Sequence, residues 1–322
     1  MARINDPGTD PVRVQRLVAF INVGDWREKC RLAERDADLA SEQTSRLLGG
    51  WIAAVEAQGE VDSADELRRY ADFLTLVRTD GVSTAFEAAA ESAARDGDEA
   101  LRRFHESRTP AEAHAALDDA IASYSSALAA TVQPRRHPWW NSLSLAYSER
   151  YDLAADLEDL HLAVDLVRRA LQDTEPGDAA RAGCLINLAT YLLDRHDAGG
   201  GDGDDLAAAD DAARQAVEAA RQTADPAAEH LAAAWLAQAR VAQARFDEDA
   251  DPARLGDAVA AARAAIEVAA ADRDRASGAG VLGNALLSRY AVGANPDDLD
   301  AAMAHHGRAL ELTATPSARP IR

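Results

Sequence analysis

Residues 140–171 read WNSLSLAYSERYDLAADLEDLHLAVDLVRRAL, and this stretch decides the fold. In its second half Leu160, Ala163, Val164, Val167, Ala170 and Leu171 fall at offsets 0, 3, 4, 7, 10 and 11. With about 100° of turn per residue, those offsets place all six on one face of an α-helix. The same frame returns as Leu206, Ala209, Asp210, Ala213, Ala216 and Val217, and as Leu255, Ala258, Val259, Ala262, Ala265 and Ile266. It returns again as Leu299, Ala302, Met303, His306, Ala309 and Leu310, and an earlier copy is Leu117, Ala120, Ile121, Tyr124, Ala127 and Leu128. Five copies of one helix, 43 to 49 residues apart, predict an all-α repeat array.

A first helix precedes each of the last four copies and aligns on an arginine: Arg150, Arg195, Arg245 and Arg289. Ten, seven, six and three residues earlier stand Trp140, Leu143, Ser144 and Tyr147 in the first unit, then Leu185, Leu188, Ala189 and Leu192. The last two units have Trp235, Gln238, Ala239 and Ala242, then Ala279, Leu282, Gly283 and Leu286. A large residue, then Leu followed by a small residue, then an aromatic or Leu resembles helix A of a tetratricopeptide repeat. Ala163 and Ala170 resemble the alanines of its helix B. The resemblance covers roughly residues 110–315 and implies a right-handed superhelical array of TPR-like helical hairpins, an α-solenoid. From Tyr147 to Ala163 each unit is longer, by about seven residues, than the 34-residue repeat. Long units with Tyr147-Ser-Glu-Arg-Tyr151 before Asp159-Leu160, and Arg289-Tyr290 before Asp298-Leu299, resemble the arrays attached to actinobacterial CHAT-type (caspase-like) peptidases. Leu17 to Gly24, Trp26, and Val82 to Phe86 resemble the lead-in of such proteins. That likeness implies a C-terminal peptidase with a His/Cys dyad, for which the twelve residues after Leu310 leave no room. The chain therefore reads as a stand-alone array or as the front of something longer.

The expected organisation is a flexible lead-in over 1–10, a helical N-terminal unit over 11–96 and the array over 97–322. Helix-B copies lie near 117–128, 160–171, 206–217, 255–266 and 299–310. In the N-terminal unit breaks are expected at Gly24, Gly59, Gly81 and the acidic Arg95-Asp-Gly-Asp98, with Ser41 and a Ser63–Glu66 capping box as helix starts.

Composition narrows the function. Thirty-four basic against 55 acidic residues give a formal charge of −21, which the phosphate backbone repels, so nucleic acid is not an expected partner. Lys29 is the only lysine. Cys30 and Cys184 supply neither a disulfide framework nor zinc spacing. With no membrane-length apolar run and no leader, a reducing cytoplasm is expected and a membrane is not.

No catalytic residues, cofactor or metal are predicted. The repeated arginines face acidic links, namely Asp156, Glu158 and Asp159; Asp202, Asp204 and Asp205; Glu248, Asp249 and Asp251; and Asp297 and Asp298. They read as repeat-internal ion pairs or partners of the helix dipole at the C-terminus, worth about 0.3–1 kcal/mol each if exposed, with a binding role as the alternative. Gly199-Gly-Gly-Asp-Gly-Asp-Asp205 lacks the Lys of a phosphate loop and the Glu of a calcium loop, and reads as a linker. His305-His306 supplies too few ligands for a metal. Arg135-Arg-His-Pro-Trp-Trp140 is the one basic and aromatic cluster, a recognition patch or an inter-repeat linker.

In a superhelix of such hairpins, helix A lines the concave face. The residues placed there are Asn141, Leu145, Ser148, Thr190, Leu193, Arg240, Gln243, Asn284 and Leu287, with Asn141, Arg240 and Asn284 as the chosen polar contacts. The function expected from five repeats without a catalytic constellation is a non-catalytic scaffold or adaptor for a protein or peptide. The alternatives are a regulatory region or separate-chain partner of a CHAT-type peptidase, and an enzyme or sensor with a small-molecule pocket in the groove. The last helix, with no polar capping helix after it, is expected to pair with another chain as a homo-oligomer.

Overall fold

The structure is a computed structural model that describes residues 10–24, 26–131, 137–201, 203–222 and 228–314. The expectations for residues 1–9, Arg135 and Arg136, Asp202 and the tail from 315 lie outside them, as do the side chains of Trp26 and His137. Every regular element among the described residues is helical, and the chain divides into two compact units, Met1–Trp139 and Trp140–Arg322.

The first unit holds α1 (Pro11–Asn22), α2 (Trp26–Arg35), a 3₁₀ turn (Ala37–Ala40), α3 (Glu42–Glu56), α4 (Val61–Asp80), α5 (Val82–Glu106) and α6 (Pro110–Ala130). Its core is built on Leu17, Phe20, Leu48, Phe73, Leu74 and Phe86, with Phe73 stacked on Phe20 and edge-on to Phe86. Ser41 caps α3 by accepting from the Thr44 amide. The Ser63 capping box does not form: α4 starts two residues earlier, at Val61, and has no side-chain cap. Thr109 and Glu112 instead make a reciprocal box at the start of α6, with Pro110 in the first turn.

The acidic stretch Arg95-Asp-Gly-Asp98 does not break its helix, since α5 runs unbroken through it to Glu106. Packing explains why. A Cβ on Gly97 would lie 2.7–2.9 Å from ring atoms of Tyr124 in α6, and the Tyr124 hydroxyl donates to Asp98 Oδ1 at 2.6 Å. Gly283 has the same relation to His306, whose ring would come within 2.6 Å of an added Cβ. Tyr124 and His306 hold the same place in the helix-B frame. Gly97 therefore marks the second half of α5 as the first helix of the earliest copy, with Arg103 where Arg150, Arg195, Arg245 and Arg289 stand. Alanine in a helix interior is intrinsically better than glycine by about 1 kcal/mol. Gly97→Ala is nevertheless expected to lose about 1–3 kcal/mol, because the buried ring opposite has no room to yield. Urea unfolding reads this directly, and a gain in stability would refute the fit.

The second unit is a succession of helices: α7 (His137–Ala154, shared with the first unit), α8 (Leu157–Gln172), α9 (Ala179–Asp197) and α10 (Asp205–Gln222), then α11 (Ala228–Asp249), α12 (Pro252–Val268), α13 (Asp272–Gly293) and α14 (Pro296–Ala314). Each packs on the next from α8 onward, and the first helices of the hairpins α9, α11 and α13 also touch in order. The repeating frame is the core: Leu160, Ala163, Val164, Val167 and Ala170 are fully buried, as are Ala209, Ala213 and Ala216, and Leu255, Ala258 and Ala262. Alanine dominates because small side chains let the helices approach closely. In α14 only Ala302 of the frame is buried, while Met303 and Leu310 are exposed. After α7, α11 and α13 the chain turns through left-handed alanines, Ala155, Ala250 and Ala294, each five residues beyond the arginine. No helix among the described residues is long and apolar enough to cross a membrane.

Candidate functional site

The corner between the helices of a hairpin is fixed by the repeated arginine. Arg150 forks onto Asp159 with N–H···O distances of 2.8 and 2.7 Å, Arg195 onto Asp205 at 2.8 and 2.6 Å, and Arg289 onto Asp298 at 2.9 and 2.5 Å. Two parallel bonds in a planar fork are the strongest geometry available to this pair. Of the acidic links, the carboxylate selected is the one immediately before the helix-B leucine, and in all three hairpins it is buried. The guanidinium beside them holds the Asp205 and Asp298 carboxyls below the usual carboxylate range. Arg245 differs and pairs with Asp210 of the preceding hairpin at 3.6 Å.

The glycine-rich link is a fitted part of this corner rather than a free linker. His161 Nε2 lies 3.1 Å from the Gly200 carbonyl, and a Cβ on Gly201 would fall 2.0 Å from Asp205 Oδ2. Gly201→Ala is expected to displace Asp205 from Arg195 and cost about 1–3 kcal/mol. A melting midpoint equal to wild type would show that the link moves aside freely.

From these corners α9, α11 and α13 run side by side, and polar side chains join neighbouring first helices at a spacing of one repeat. Asn187 donates to Asn141 Oδ1 at 3.0 Å, Arg240 to Asp194 Oδ1 at 3.2 Å, and Gln243 to Ser288 Oγ at 3.1 Å. The sequence separations are 46, 46 and 45 residues. Asn141, Arg240 and Gln243 are thus engaged by the array itself. Their partners Asn187, Asp194 and Ser288 were missed in the sequence, although the separation was a readable signal.

Four of the expected groove residues meet. Leu193 of α9, Arg240 and Gln243 of α11 and Asn284 of α13 line one open cavity of about 450 Å³, with His196, Asp197, Ala244, Asp247, Glu248 and Val281. Asn284 is exposed and Leu287, beyond the cavity lining on α13, is partly so. Thr190, Leu145 and Asn141 are half-buried and do not line it. Ser148 is buried beside the Tyr191 hydroxyl and does not line the cavity. The charge around the cavity is acidic: Asp197, Asp247 and Glu248 line it and Asp194 adjoins it, against Arg240 and His196. Burial raises the carboxyls of Asp194 and of Asp152, while Arg240 pulls both back down.

The cysteines, His306, Trp139 and Trp140 are taken up by packing. Both cysteines are buried, and burial pushes the Cys184 thiol up to about 11, which keeps it protonated and unreactive near neutral pH. His306 is wedged against Gly283. Trp140 packs on the core around Leu160 with the Arg169 guanidinium 5.4 Å from its ring centre, and Trp139 packs on the core of the first unit. Among the described residues no three His, Cys, Asp or Glu side chains come together as metal ligands. No family model and no curated protein matches this sequence.

Proposed function

We propose that the chain is a non-catalytic adaptor whose TPR-like repeats, wound as a right-handed superhelix, hold a cationic protein segment along the first helices. The observation that carries this reading is the convergence of α9, α11 and α13 on one open, acid-lined cavity of about 450 Å³. Successive repeats that each contribute one face to a continuous strip suit an extended ligand, which meets equivalent positions at each step. Carboxylates arranged around Arg240 favour a partner rich in Arg or Lys, and complementarity of this kind sets on-rate and specificity. The A-helix rungs preorganise the surface, so little ordering cost falls on the protein when it binds.

A peptide array probed with the purified chain, and with Asp247→Lys/Glu248→Lys, tests the reading. Selective retention of Arg- and Lys-rich peptides, lost about tenfold or more in the charge-reversed variant, is the supporting result. Retention without regard to peptide charge, or undiminished by the reversal, would end it. Binding should also weaken on acidification earlier than for ordinary carboxylates, since Asp194 and Asp152 take up protons at higher pH than usual.

A second reading concerns self-association. Met303 and Leu310 in α14 are exposed, whereas Val164 and Val217 at corresponding frame positions are buried. A second copy seated on α14 would cover them. Light scattering of wild type against Met303→Glu/Leu310→Glu decides it, and a wild-type monomer at high concentration removes the idea.

A further inference from the structure

We propose that the α11–α12 hairpin, the third of the second unit, binds a small organic carboxylate, on the side of α11 opposite the acid-lined groove. The other hairpins supply the comparison. In three of them the first-helix arginine forks onto the aspartate that immediately precedes the helix-B leucine. In the third, that position is Arg254, so the carboxylate is missing and a second guanidinium stands in its place. Two more departures accompany it. Gln238 replaces the leucine of Leu143, Leu188 and Leu282, and Asp210 takes the frame position of Val164, Val259 and Met303. These three polar residues come from α11, α10 and α12, and all of them line one cavity of about 400 Å³ together with Arg214, Arg245 and Trp235.

Arg214 is bonded to Asp211, but the other two arginines there are under-used. Arg245 has only the 3.6 Å ion pair to Asp210 and, among the described residues, no hydrogen bond. Asp210 also lies 3.9 Å from Arg214 Nε, so it serves two guanidiniums at a distance and forks onto neither. Arg254 Nε is buried without a hydrogen-bond partner among the described residues, 3.5 Å from the Asp249 carboxylate. Had Asp210 simply taken over the role of the missing aspartate, the paired 2.5–2.9 Å bonds of the other hairpins would be expected; they do not form.

Arg214, Arg245 and Arg254 stand around the cavity with Asp210 and Asp257, while Asp211 is bonded to Arg214 and Asp249 lies beside Arg254, so Arg245 is the guanidinium with no carboxylate closer than 3.6 Å. A carboxylate matches the planar fork that Arg150, Arg195 and Arg289 hold in their own hairpins, and at Arg245 it would supply the acceptor that this hairpin lacks. The half-buried Trp235 ring and the small side chains of Ala242 and Ala261 give the body of the ligand an apolar wall. The volume falls in the range of small-molecule sites, about 300–1,000 Å³. Arg240, Gln243 and Asp247 point to the groove from one side of α11, whereas Trp235, Gln238, Ala242 and Arg245 occupy the other, so the two sites can be loaded independently.

The test is calorimetric titration of the full chain with benzoate, with benzamide as the uncharged counterpart and inorganic phosphate as the competing oxyanion. Saturable benzoate binding, about tenfold or more tighter than benzamide, is expected. Arg254→Asp restores the Arg–Asp pair of the other hairpins, so it should raise the melting midpoint while abolishing benzoate binding. Arg245→Gln should abolish binding as well, and covers the case in which Arg254→Asp fails to fold. No saturable binding to wild type, equal binding of benzamide, tighter binding of phosphate, or undiminished binding by a folded variant would each overturn the proposal.

Discussion

Asp205→Ala is expected to remove about 3–5 kcal/mol of unfolding free energy, the largest single-residue loss in the array. The side chain is 6% exposed and its partner Arg195 only 12%, so truncation takes the forked carboxylate away from a guanidinium that has little access to water. The corresponding change Asp298→Ala should cost about 1 kcal/mol, because Arg289 is 37% exposed and is solvated once freed. Asp159→Ala falls between, with Arg150 at 27%. Urea denaturation of the three variants reads the order directly, and equal losses would show that burial of the arginine is not what sets the cost. The pH dependence has a definite sign. The folded-state pKa values of Asp205 and Asp298 lie below those of the unfolded chain, so their stabilisation is complete above about pH 4 and disappears as pH falls through the depressed values.

Lys29, the only lysine, predicts a pH effect of the opposite sense in the first unit. The residue is 3% exposed, and its ammonium donates to the Phe20 and Ile21 carbonyls at 2.8 Å each and lies 4.6 Å from the Tyr70 ring centre. It caps the last turn of α1. Burial nonetheless pushes it down to about 8, against the pull of Glu66. Between that value and the 10.5 of an exposed lysine the unfolded chain holds more protons, so this group makes stability rise with pH. Wild type measured against Lys29→Met should gain about 2–3 kcal/mol between pH 7 and pH 10. The difference is the quantity to follow, since Cys184 and Tyr70, pushed up to about 11 and about 12, act in the other direction at the alkaline end. A difference that stays flat over this range would mean that Lys29 keeps its charge at no cost.

The helix-B frame was legible because its period is written in apolar residues, and Leu160, Ala163 and Val164 are buried as the offsets require. What escaped the sequence was contact between segments. Arg95-Asp-Gly-Asp98 looks like a break by local propensity, yet α5 continues through it because Tyr124, 26 residues later, needs the space at Gly97. Which acidic residue each arginine selects was equally hidden, since several lie within reach along the chain and only folding buries one. The groove was half legible. Position on a helix face accounts for Leu193, Arg240, Gln243 and Asn284 sharing one cavity, but register between neighbouring first helices decided that Ser148 is covered and that Asn141 is bonded to Asn187.

The arginine corner also marks where such a gene can be cut. From arginine to helix-B leucine the chain takes ten residues at Arg150–Leu160, Arg245–Leu255 and Arg289–Leu299, and eleven at Arg195–Leu206, where glycines absorb the extra one. The return links are far less uniform, with 14 residues from Leu171 to Leu185 and 18 from Val217 to Trp235. The forked corner holds its length to within one residue, and the one extra is taken up by glycines, whereas the return links carry no such ruler. The heritable module is therefore the hairpin with its corner intact, and duplication, deletion or grafting of a foreign segment has its seam between one hairpin and the next.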